Sequence, residues 1–127
     1  MKLPSLIALG GLCVSASAIA AQAPVTVTGY GSDPLGVVAI QQGDLARAEA
    51  TLTARRLDAG DPVRLINLGD VYWLAGRQSD AVAAWRQALA SRDQYDVQTV
   101  GGRVLSTYDI AREALAMHGS PLRTASR

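Results

Sequence analysis

Shifted by thirty-three residues, the chain matches itself. Leu35-Gly36 falls on Leu68-Gly69, Val38 on Val71, Gly43 on Gly76, Ala48 on Ala81, Ala50 on Ala83 and Leu52 on Trp85. Self-similarity at such a period means that one supersecondary unit is used twice, and that each copy needs a neighbour to bury its apolar face. The repeated glycines have two different reasons. Gly69 lies in the middle of "LINLGDVYWLAGR", Leu65 to Arg77, where glycine costs about 1 kcal/mol relative to alanine. A helix tolerates that cost where helices cross closely: Gly69 and Ala81 are small because a facing helix passes over them, and Tyr72, Leu68 and Trp85 fill the space on either side. Gly76 stands at the helix end, where the left-handed cap conformation suits glycine.

Each copy reads as a helical hairpin. Asp33-Pro34 and Asp61-Pro62 are both helix starts: Asp caps free amides and Pro is tolerated in the first turn. The first copy has the short helix "LGVVAIQQ", closed by Gly43, and then "DLARAEATLTARRL", capped by Asp44. Leu45, Ala48, Leu52 and Leu57 recur at helical intervals on its packed side, with Arg47, Glu49 and Arg55 toward water. The turn "DAGD" leads to "PVRLINLGDVYWLA" and its mate "QSDAVAAWRQALAS". Connections this short make neighbouring helices antiparallel.

Leu65-x2-Leu68-Gly69-x2-Tyr72, followed by Ala81-x3-Trp85 and Ala88, resembles the tetratricopeptide repeat signature. Leu65 stands where that signature has Trp, Trp85 where it has Phe, and Asp93 where it often has Pro. The likeness covers Pro62–Tyr95, and less fully Asp33–Leu57, where Ala39 replaces the tyrosine. The resemblance implies an all-α fold with two tetratricopeptide-like antiparallel hairpins, over about 33–60 and 61–94, in a helical domain spanning 33–118. It also implies that the first helix of each hairpin lines a concave face. In the second copy that face carries Val63, Ile66, Asn67, Asp70, Trp73 and Leu74, the candidate partner-binding residues. Some peptide-binding relatives use an asparagine in the place of Asn67 to hold a peptide backbone, with basic residues gripping a terminal carboxylate. Arg64 is near, but Asp70 is acidic, so a carboxylate clamp is not expected. Two readings of this apolar face stay open: a groove for a partner, or a groove filled by the chain's own Tyr95–Leu105 segment. Self-coverage is favoured, because a small monomer rarely exposes a large apolar patch.

Beyond Ser91 the pattern changes. "YDVQTVGGRVLSTY" alternates around Gly101-Gly102, the signal of a hairpin with a two-residue turn, or else an irregular loop. "STYDIAREALAMHG" reads as a final helix, capped by Ser106 or Thr107, with Ile110, Ala114, Leu115 and Met117 as its stripe and Gly119 with Pro121 at its end. Residues 95–118 would cover the open side of Ser79–Ala90, and 119–127 reads as a disordered tail. The order of repeats, glycine-centred segment and "IAREAL" helix is similar to small exported repeat proteins of bacteria.

The N-terminus has the charged start, apolar middle and small-residue end of a signal peptide over residues 1–20. Ala18-Ile19-Ala20 fits cleavage after Ala20, better than after Ala23, where Pro24 would follow the cut. A flexible lead-in, 21–32, would come next. The mature protein is then expected in the periplasm or secreted, with no membrane insertion. Cleavage removes Cys13 and Lys2, the only cysteine and lysine, and leaves eleven arginines against eleven acids. A neutral chain argues against nucleic acid or anionic membrane as its main partner, and no disulfide can form within it.

The catalytic inventory is poor. His118, the single histidine, is expected to interact with the last carbonyls of the final helix. The sequence carries no His/Cys/acid cluster with metal spacing, no G-x-S-x-G and no P-loop. Asp93 and Asp96 read as solvated. The expectation is no enzyme, cofactor or metal, but a non-catalytic protein-protein interaction or scaffold module of the bacterial cell envelope with a protein or peptide partner. The alternative is a non-catalytic subunit or accessory domain of an envelope enzyme or secretion complex.

Overall fold

The structure, a computed structural model, describes residues 35–54 and 57–119. The signal peptide and lead-in, the Asp33-Pro34 helix start, Arg55 and the tail from 120 onward lie outside the described residues. The described chain is mostly helical: α1 (Val37–Gln41), α2 (Leu45–Leu52), α3 (Pro62–Leu74) and α4 (Gln78–Leu89) come first. A two-stranded antiparallel sheet of β1 (Asp96–Gln98) and β2 (Val104–Ser106) follows, and then α5 (Thr107–His118). The largest interface is between α3 and α4; α2 packs on α3, and α5 packs on α4 and α3.

The thirty-three-residue repeat reappears as repeated hydrogen bonds. Gly43 N–H donates to Ile40 O at 3.0 Å and Asp44 N–H to Ala39 O at 2.9 Å. One period later, Gly76 N–H donates to Trp73 O at 3.0 Å and Arg77 N–H to Tyr72 O at 2.8 Å. Gly43 and Gly76 have φ of 74° and 77°, so both helices end in the same Schellman turn. The position of the glycine repeats as well, but not its closeness to a neighbour. A Cβ on Gly36 would stand 3.4 Å from the Ala48 backbone and 3.6 Å from Leu52, while a Cβ on Gly69 would collide with the Trp85 indole, less than 3.0 Å away.

The helix ends in the first copy differ from the sequence reading. α1 has five residues and starts behind Gly36, a left-handed cap that makes no side-chain bond. α2 stops at Leu52, so Leu57 lies outside it. Thr53 Oγ1 turns back to donate to Glu49 O at 2.8 Å, and Arg64 Nε donates to Leu52 O at 2.5 Å. With those carbonyls satisfied, no further helical turn is needed. The starts of α2 and α3 agree with the reading: Asp44 accepts from Arg47 N at 3.1 Å, and Asp61 accepts from Val63 N and Arg64 N at 2.8 and 3.1 Å.

The glycine-centred segment is a hairpin with a three-residue loop rather than a two-residue turn. Gln98 pairs with Val104 and Thr99 N–H donates to Arg103 O at 2.8 Å, which leaves Val100-Gly101-Gly102 as the loop. Gly102 N–H closes a turn onto Thr99 O at 2.8 Å, with Gly102 itself at φ 79°. One left-handed glycine suffices for a loop of this length.

Three buried clusters hold the stack. Ala39, Ile40, Ala48, Leu52, Leu68 and Val71 join the two hairpins. Val63, Leu65, Ile66, Ala88, Ile110 and Ala111 join α3 and α4 to α5, with Val97 and Leu105 of the sheet laid against them. Ala81, Trp85 and Ala114 form the third, bordered by Tyr72, Trp73 and Leu115. Ser106 caps α5 by accepting from Asp109 N at 3.1 Å. Met117 does not belong to the buried stripe and is 41% exposed. The next residue, His118, is the one that follows Ala114 by a helical turn and lies against Trp85 of α4.

Candidate interaction face

α3 runs between neighbours on several sides, and nine of its thirteen residues are buried. An apolar helix without a continuous polar face is internal. That decides the fate of the six candidate residues. Val63 and Ile66 lie in the cluster under α5 and the sheet. Asn67 is fully buried, and its Nδ2 donates to the Leu35 carbonyl at 3.2 Å. The amide expected to hold a partner's backbone thus holds the chain's own. Asp70 is buried too, and its Oδ1 accepts from Trp85 Nε1–H at 3.2 Å. Trp73 is half-buried, while Leu74 is 45% exposed. Four of the six are therefore inaccessible to a partner, and the open part of the face is Leu74 with one side of Trp73. Sequence reasoning missed this because the groups that accommodate Asn67 and Asp70 lie thirty-two and fifteen residues away. Buried polar groups are tolerated where such partners exist.

The cover comes in two parts. Val97 and Leu105 pack against the buried cluster that includes Val63 and Ile66 along with Ala88, Ile110 and Ala111. Trp73 is covered by the end of α5 instead. Its ring centroid is 6.1 Å from that of Trp85 and 4.2 Å from that of His118, and the His118 and Trp85 rings stack at 5.7 Å. His118 does close α5, but it does not bond the helix's last carbonyls. Its Nε2 is buried without a hydrogen-bond partner among the described residues. Burial lowers the imidazole's affinity for a proton below the ordinary histidine value. Two indoles offer a large apolar surface at the same place, and no sequence spacing announces that contact.

A polar seam fixes the sheet against the helices. Gln94 Nε2 donates to Ala88 O at 2.9 Å, closing the end of α4, and its Oε1 accepts from Thr107 Oγ1 at 2.6 Å. Thr107 N–H donates to Tyr95 O at 2.9 Å. The Tyr95 hydroxyl donates to Asp61 Oδ1 at 3.2 Å, the same oxygen that caps α3. Burial, with the adjacent Asp61 charge and its hydrogen bond, pushes the Tyr95 phenol up to about 12. At the other end Arg77 joins the two hairpins: its Nη1 meets Glu49 at 2.9 Å, its Nε meets Asp80 at 2.7 Å, and its guanidinium lies 4.2 Å over the Tyr72 ring. Both carboxylates make Arg77 hold its proton still more firmly. These groups are solvent-exposed, so water and salt screen the pairs.

The Ser91 hydroxyl donates to the Gly60 carbonyl at 2.9 Å, so a backbone oxygen and not a basic side chain receives its proton. Among the described residues no three His, Cys, Asp or Glu side chains come together as a metal-binding group, and no helix is long and apolar enough to cross a membrane. Comparison with known protein families, with curated proteins and with solved structures finds no match.

Proposed function

We propose that this chain is a non-catalytic interaction or scaffold module of the bacterial cell envelope, built on tetratricopeptide-like repeats. One observation carries the reading. The two copies share their Schellman turns at a spacing of thirty-three residues, as stacked helical hairpins of that kind do. The envelope part rests on the charged, apolar and small-residue order of residues 1–20. The partner is a protein or peptide; of the candidate face Leu74 and part of Trp73 stay open to it, and Val104 and Tyr108 are among the other exposed apolar side chains of the described residues. The near-neutral charge gives nucleic acid no electrostatic footing.

The test has two arms. N-terminal sequencing of the exported protein is expected to find Ala21 first, or a residue close to it; an intact Met1 on exported protein ends the envelope assignment. A photocrosslinker placed at Leu74, Val104 or Tyr108 in the exporting cell is expected to capture one defined envelope protein, and Leu74→Arg to weaken capture at the first position. A protein that elutes from its native host as a free monomer and crosslinks at none of the three positions is not an interaction module.

A further inference from the structure

We propose that His118 is an acid-sensitive latch: protonation of its ring loosens the last turn of α5 from Trp73 and Trp85 and uncovers that end of α3 and α4. The geometry supplies the parts. His118 is the single histidine of the chain and the last residue of α5. Its ring touches both indoles, at centroid distances of 4.2 and 5.7 Å. Its Nε2 is shielded from solvent and has no hydrogen-bond partner among the described residues. A neutral imidazole can leave that nitrogen as a bare acceptor. An imidazolium cannot, because both of its nitrogens carry N–H groups and the buried one would have neither water nor an acceptor.

The charged groups around the latch do not rescue it. On α3, Asp70 accepts from Trp85 Nε1, and Tyr72 lies under the Arg77 guanidinium. Before α4, Arg77 is bound to Glu49 and Asp80. On α5 itself, Arg112 pairs with Asp109, and Glu113 faces Arg103. None of these forms an ion pair with His118 among the described residues. Two effects favour the cation, the negative end of the α5 dipole and the indole faces. They are opposed by loss of hydration, and burial lowers the proton affinity of the ring. The sign follows. A folded-state value below the unfolded one leaves stability intact above about pH 6.5, and stability falls as pH drops toward the folded value. Within that window the unfolding equilibrium constant rises by up to tenfold per pH unit.

The test uses the full chain between pH 8 and 5, above the titration of ordinary carboxylates. The single histidine C2–H resonance reports the ring directly by NMR, and tryptophan emission reports the contact. The ring is expected to titrate below pH 6.5, with red-shifted emission at the same midpoint. His118→Phe, which keeps a ring but not the charge, is expected to abolish the emission change. The latch is overturned if the ring titrates at or above pH 6.5, if emission is flat across the titration, or if His118→Phe keeps the acid transition. The first two readouts need no variant, so a poorly folding His118→Phe leaves the proposal testable.

Discussion

At the scale of single residues, Gly69 explains itself through Trp85. Propensity alone makes Gly69→Ala stabilising by about 1 kcal/mol. The added methyl would instead overlap an indole that is fully buried and hydrogen-bonded to Asp70, and overpacking costs typically 1–3 kcal/mol. Chemical denaturation is expected to show Gly69→Ala as destabilised and Gly69→Leu as more so; a stabilised alanine variant means that the crossing is looser than described. The glycine and its purpose were legible in the sequence. Its contact was legible in part: Trp85 is expected beside the crossing, and the structure puts its indole directly against Gly69. His118 was the reverse case. A lone histidine at a helix end gave no sign of two rings brought to it from other helices.

At the scale of elements, helix starts were easier to read than helix ends. Asp44, Asp61 and Ser106 cap α2, α3 and α5 with their own side chains, a local interaction that residue type announces. The end of α2 depends on Arg64, twelve residues away, and no local signal carries that. The seam between sheet and helices gives a prediction with a definite sign. Tyr95 has its proton held by burial and by Asp61 up to about 12, against an ordinary value of 10.0. The unfolded chain releases that proton first, so this contribution to stability is whole below pH 10 and is lost as pH rises through 12. Absorbance titration is expected to show a tyrosine step near pH 12, and Tyr95→Phe to remove both that step and the matching part of the alkaline loss of stability. A titration with no tyrosine step above about pH 11 contradicts the seam.

At the scale of the whole molecule, two repeats are fewer than the three or so that a helical stack needs. Here α5 and the hairpin complete the stack by covering Val63, Ile66, Ala88 and Trp85. The exposed side of α5 carries the Asp109–Arg112 pair and Glu113, which faces Arg103, beside Tyr108 and Met117. Truncation after Asp93 is therefore expected to unfold the protein or drive it into oligomers, read by melting and size exclusion. A truncated chain that stays monomeric with an unchanged melting temperature removes α5 from the core.

The sequence by itself determined the period, the hairpins, the caps and the glycine turns. Each of these depends on a few neighbouring residues whose shapes permit one backbone conformation or one distance of approach. Only the tertiary structure decided which side of α3 meets water. Asn67 and Asp70 look like surface residues on a helix read alone, and they are buried because Leu35 and Trp85 arrive to bond them. Burial is a property of the assembled neighbours and polarity a property of the residue. Where distant partners satisfy a polar group, the second no longer predicts the first.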